Sequence, residues 1–136
     1  MIRRLIDRAI EGMSCAYTPY SGFRVGAALL TESGEIYTGC NIENAAYTPT
    51  NCAERTAFFK AVSEGGRHFT AICIVGGKDG KLADYTSPCG VCRQVMMEFC
   101  EPEQFKIILA ISREEYRIYT LKELLPEGFG PARIAR

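Results

Sequence analysis

Four residues stand out for what their types and spacing could do together. Cys89-Gly90-Val91-Cys92 follows Pro88 and opens a helical run, and Cys52 opens another far upstream, with Glu54 two residues after it. Thiols at helix starts feel the positive end of the helix dipole, which favours thiolate over thiol. Three thiolates drawn from two helix N-termini suit zinc. A Cys-x-x-Cys pair also serves redox chemistry, but a redox dithiol leaves Cys52 and its neighbouring glutamate without a task.

Three sulfur ligands leave tetrahedral zinc with a fourth position, and its occupant decides the role. A closed structural site draws a fourth protein ligand from Cys15, Cys40, Cys73, Cys100 or His68, none of which has motif spacing. An open site holds a water and lowers its pKa. Glu54 is placed to exchange a proton with that water. Alone it reads as an ordinary acid in a helix's first turn; beside the cysteines it reads as a general acid–base.

The elements that carry these residues follow from periodicity. Ile2, Leu5, Ile6, Ala9, Ile10 and Met13 recur at helical spacing, predicting a helix over residues 2–15. Phe23 to Leu30 and Glu35 to Thr38 predict two strands joined through Ser33-Gly34. Residues 53–63 predict a helix ended by Gly65-Gly66, and 71–75 a strand buried on both faces. A loop over 76–88, a helix over 90–99 and strands over 105–111 and 116–120 complete the chain. This order predicts a three-layer α-β-α sandwich with a mixed five-stranded sheet. The four residues from Ser112 to Glu115 are too few for a parallel crossover, so the last two strands are expected to be antiparallel.

The chain's 136 residues fit one domain, expected to span 1–136. Sixteen basic residues balance sixteen acidic ones, which argues against a nucleic-acid binder that works through phosphate attraction. Apolar stretches are too short to span a membrane, and charges interrupt the N-terminal segment, so neither a membrane span nor a signal peptide is expected. Seven cysteines without disulfide spacing point to the cytoplasm.

Cys52-Ala53-Glu54 followed by Pro88-Cys89-Gly90-Val91-Cys92 resembles the three-cysteine version of the zinc nucleoside deaminase signature. The likeness to the short, homotetrameric cytidine deaminases runs along nearly the whole chain. It includes residues 17–21, 23–28, 39–47, 52–57, 87–95 and 124–126. It implies hydrolytic deamination of cytidine and deoxycytidine to uridine and deoxyuridine, one Zn²⁺ per subunit, and a homotetramer whose sites are shared between subunits. It assigns Cys52, Cys89 and Cys92 to the metal and Glu54 to proton transfer between water, ring N3 and the departing amine. Arg55 is implied to hydrogen-bond the zinc cysteines and withdraw charge from a site that is formally −1. Asn41 and Glu43 are implied to hold the sugar hydroxyls and Phe23 to stack on the pyrimidine. Ala45, Tyr47 and Ala53 are implied to line the substrate, and Phe129 to reach a neighbouring subunit's site.

Rivals differ in what they demand. Nucleic-acid editing deaminases need a basic groove, which this neutral chain does not offer, and their likeness implies a parallel final strand pair. Blasticidin-type deaminases share the zinc motifs, but residues 52–57 and the Asn41/Glu43 pair fit cytidine better. A base deaminase has no use for two sugar-binding residues. A non-catalytic zinc module would need a fourth protein ligand.

Overall fold

The apolar runs assemble as a five-stranded sheet in the order β2-β1-β3-β4-β5, in a computed structural model that describes residues 1–134. Helix α1 (Ile2–Met13) leads into β1 (Phe23–Thr31) and β2 (Ile36–Cys40). Helix α2 (Ala53–Ser63), β3 (Phe69–Lys78) and α3 (Gly90–Phe99) follow. Strands β4 (Lys106–Ala110) and β5 (Tyr116–Thr120) precede a one-turn α4 (Leu121–Leu124) and a 3-10 turn at Pro131–Arg133.

The β1–β2 hairpin turns through Gly34, whose φ of 97° lies in the left-handed region that glycine enters freely. β3 and β4 run parallel with α3 as their crossover, while β4 and β5 are antiparallel, as their short connection demands. β3 is longer than its apolar run predicts. It continues through Gly76 and Gly77, which read as loop signals but lie where Thr86 and Lys81 crowd the strand.

Alternation along the strands builds two cores, one on each side of the sheet. Ala28, Ala71, Cys73, Val75 and Ile108 pack under Leu5, Ile6, Ala9 and Met13 of α1. Ala27, Leu29, Ile72, Ile74 and Ile107 face α2 and α3 through Ala57, Phe58, Ala61, Cys92 and Met96. These are the three layers expected from the order of elements. Among the described residues no helix is long and apolar enough to cross a membrane.

One close approach sets the position of the site. A Cβ on Gly39 would collide with the carbonyl oxygen of Ala53 and come within 2.7 Å of the Ala57 amide nitrogen, so only glycine lets α2 lie against β2 here. The first turn of α2, which carries Cys52 and Glu54, is thereby pressed onto the sheet.

Candidate metal and catalytic centre

Cys52 and Cys89 are the N-cap residues of α2 and α3, both with extended backbone, and neither helix start is capped by a side chain. Free helix N–H groups and the dipole therefore point at sulfur. Cys92 lies on the first turn of α3 and is buried. The Sγ atoms of Cys52 and Cys89 are 3.6 Å apart, those of Cys89 and Cys92 3.4 Å, and all three fall within 4.8 Å of one another. Tetrahedral zinc with sulfur at about 2.3 Å holds its sulfurs roughly 3.8 Å apart, so the donor set and its spacing fit the ion.

The protons of the metal-free cluster divide unequally. Hydrogen bonding with Cys92, helped by Arg55 and Cys89, holds the Cys52 thiol down to about 5 against the effect of burial. Cys92, bonded to Cys52, buried, and facing the charge of Glu54, is pushed up. One sulfur is poised as thiolate while its neighbour keeps the proton, which metal would displace.

Glu54 is 4% exposed, and burial pushes its carboxyl up to about 7. The charge of Cys52 raises it further, while its contact with Cys92 works the other way and ties it to the sulfurs. A carboxyl with a pKa near neutrality can both take and give a proton at working pH. Arg55 donates through Nη2 to Cys52 Sγ at 3.3 Å, and its Nε is buried without a partner. Thr56, which sequence reasoning passed over, fastens the same turn: its Oγ1 bonds the Cys40 carbonyl at 2.9 Å and lies 3.2 Å from that of Cys52.

The residues expected around a substrate fall into two groups. Asn41 spends its amide on strand β1: Oδ1 accepts from the Val25 amide and Nδ2 donates to the Phe23 carbonyl, both at 2.8 Å. Glu43 accepts from the Tyr20 and Ser21 amides at 3.0 and 3.1 Å and from the Ser21 hydroxyl. That hydroxyl, the backbone bonds and Lys78 hold its carboxyl below the usual range. Tyr20, Ser21, Glu43 and Tyr47 line one cavity of 430 Å³, and Phe23 lines another of 540 Å³ with Tyr85 and Thr86. Phe23 is 41% exposed, not the core residue its composition alone would suggest. Tyr47 is exposed with a φ of 63°, an uncommon conformation for a non-glycine, and Ala45 beside it is exposed as well.

Ala53, expected to line the substrate, is instead fully buried in the core between α2 and the sheet. Phe129 stands apart: its carbonyl accepts from Gln94 Nε2 of α3 at 2.8 Å, while its ring is exposed. None of the remaining cysteines joins a metal-sized cluster among the described residues, and Cys73 is wholly buried in β3. The exposed His68 plays no part in the sulfur cluster. A closed zinc site with a fourth histidine or cysteine is therefore not built here.

Residues 1–108 match the profile of the cytidine and deoxycytidylate deaminase zinc-binding region. The chain belongs to that family. A cytidine deaminase from Sporosarcina psychrophila is 49% identical over 128 residues, covering 94% of this chain and 90% of the relative. The crystal structure of cytidine deaminase from Burkholderia pseudomallei shares 43% identity and superposes with a TM-score of 0.84, covering 93% of this chain and 97% of that one. That from Mycobacterium tuberculosis shares 38% identity with a TM-score of 0.80 over 93% and 95% of the two chains. Members of the zinc deaminase family are metalloenzymes, and here the family's zinc has a fitting sulfur cluster in Cys52, Cys89 and Cys92.

Proposed function

We propose that this enzyme hydrolyses cytidine and deoxycytidine to uridine and deoxyuridine with release of ammonia, serving pyrimidine salvage in the cytoplasm. The observation that carries this reading is the buried Glu54 carboxyl beside three sulfurs gathered at two helix N-termini. The names of the most similar relatives agree with it.

Cys52, Cys89 and Cys92 would hold one zinc per subunit. When bound, zinc lowers the pKa of a coordinated water and so supplies the nucleophile near neutral pH. Glu54 takes the proton released by that water and hands it to ring N3, making C4 more electrophilic. It then takes the remaining proton of the hydroxyl added at C4 and delivers it to the amine, so that the C4–N bond breaks, ammonia departs and C4–O becomes the uridine carbonyl. In the zinc-free protein burial already lifts the carboxyl to about 7, which suits a group that must take and give a proton. Arg55 draws charge from the sulfurs through its bond to Cys52.

Phe23 is the stacking surface for the pyrimidine. Ala45 and Tyr47 line the base and sugar, whereas Ala53, buried in the structure, offers the substrate no surface, and Asn41 and Glu43 read the sugar hydroxyls. After its two bonds to β1, Asn41 keeps one N–H and one lone pair for a hydroxyl. A homotetramer with shared sites follows the likeness to the short cytidine deaminases, and the ring of Phe129, 58% exposed, is free to reach a neighbour. Phe129 is then the residue offered to a neighbour's site. The 1–136 chain acts as one domain, supported by two cores that share a single sheet. Balanced charge supports a free nucleoside over nucleic acid as substrate.

The test incubates zinc-loaded protein with cytidine, deoxycytidine, cytosine and CMP and follows loss of cytosine absorbance. Turnover of the two nucleosides above the other two is expected, and activity on none of the four would overturn the proposal. Size-exclusion with light scattering should give four times the chain mass; a monomer would refute the shared site.

A further inference from the structure

Cys89 is the most exposed of the three sulfur residues, and it follows a loop with no regular structure. Cys52 is fastened by α2 packing on Gly39, and Cys92 sits within α3. The chain before Cys89 is held by the buried Pro88, by the Arg93 amide on the Cys89 carbonyl at 3.0 Å, and by one side chain that the catalytic reading does not use. The Arg93 guanidinium donates from Nε to the Pro88 carbonyl and from Nη2 to the Ser87 hydroxyl, both at 2.8 Å. Its Nη1 donates to the Leu124 carbonyl, in the last turn of α4. Arg93 is half-buried and forms no ion pair among the described residues.

All three branches of one rigid, planar group are thus committed to neutral oxygens on the two residues before Cys89 and on a separate helix. A lysine could not reproduce this, since the fork of N–H groups is what matches three acceptors at once. The bond to Leu124 also satisfies a carbonyl that a helix end leaves without a partner.

We propose that Arg93 is a positioning residue for the metal centre, clamping Ser87-Pro88 to α4 so that Cys89 is presented to zinc at the geometry the other two sulfurs require. This rests on the zinc reading of the site above. Without the clamp the approach to Cys89 keeps only the buried Pro88 and the backbone bond to α3, and a ligand that must be further ordered on binding weakens the metal. Residues that orient ligands from behind typically change metal affinity about ten- to a hundredfold when removed.

The experiment measures zinc dissociation constants by chelator competition, well below the melting temperature, for wild type, Arg93→Ala, Arg93→Lys and Ser87→Ala. Arg93→Ala is expected to weaken zinc by about ten- to a hundredfold. Arg93→Lys should recover only part of that, and Ser87→Ala should shift affinity a smaller amount in the same direction. The melting temperature of the zinc-free forms is read alongside. A merely structural arginine would lower that temperature and leave zinc dissociation unchanged. Should Arg93→Ala fail to fold, Arg93→Lys and Ser87→Ala decide by the same reading. Zinc affinity within about twofold of wild type in the folded variants would overturn the proposal. A wild-type protein that bound no zinc would overturn the metal reading itself, a result the wild-type arm alone reveals.

Discussion

Nη2 of Arg55 lies 3.3 Å from Sγ of Cys52, one helical turn back along α2, so the cation is aimed at sulfur and not at solvent. A site of three thiolates and Zn²⁺ is formally −1, and this contact sets a positive charge directly against it. Arg55→Met should lower kcat by about ten- to a hundredfold while shifting the melting temperature little. Steady-state kinetics with thermal unfolding checks this, and kinetics like those of wild type would remove Arg55 from the account.

The three cluster cysteines should behave differently from the other four. Cys92→Ser, with a buried sulfur 3.4 Å from Cys89, is expected to lose zinc and activity together. Cys73→Ala, equally buried but deep in β3, should keep a full complement of metal and cost about 1 kcal/mol or less of stability. Metal analysis of the two purified variants separates them. Zinc retained by Cys92→Ser at wild-type affinity would contradict the ligand set.

Acid should strip the metal, because zinc competes with protons for sulfur. In the zinc-free protein a second pH effect appears. Glu54 has a folded pKa of about 7 against an ordinary value of 4.5. A folded value above the unfolded one gives stability that is complete below the unfolded pKa and is lost as pH rises through 7. Zinc-free Glu54→Gln should therefore exceed zinc-free wild type in stability at pH 8, by an amount on the order of 3 kcal/mol, and by much less at pH 4. Denaturant titrations at the two pH values test this, and a difference that did not grow with pH would count against a buried, proton-holding Glu54.

Gly39 should tolerate no side chain. Gly39→Ala drives a methyl into the Ala53 carbonyl and must lift the first turn of α2, at a cost of about 1–3 kcal/mol. Because Cys52 and Glu54 ride on that turn, activity should fall further than the loss of stability explains. Wild-type activity and stability in this variant would mean that α2 is not held by this contact.

Much of this organisation is legible in the sequence because it rests on local rules. The apolar spacing of Ile2 to Met13 and the short link between β4 and β5 each dictate their outcome through geometry that few residues decide. The three cysteines and Glu54 are legible as a set because helix starts and Cys-x-x-Cys spacing can bring them together. Less legible is what depends on contacts between distant segments. Gly76 and Gly77 read as loop yet lie in β3, since crowding by Thr86 and Lys81 is invisible to local propensity. Helix α4 is too short for periodicity, although Thr120 and Glu123 carry the capping-box spacing that marks it. The bonds of Asn41 to β1, of Glu43 to Ser21 and of Arg93 to Leu124 join residues far apart in the chain, so no spacing rule announces them.

If Glu54 moves protons for a zinc-dependent hydrolysis at this site, its amide variant should lose turnover and spare the metal. Wild type and Glu54→Gln are loaded with zinc, their metal content is measured, and loss of cytidine absorbance is followed for both. Equal zinc, the same fold by circular dichroism, and a kcat for Glu54→Gln lower by about two to four orders of magnitude are expected. A variant that kept its zinc and turned over cytidine within a few-fold of wild type would contradict it.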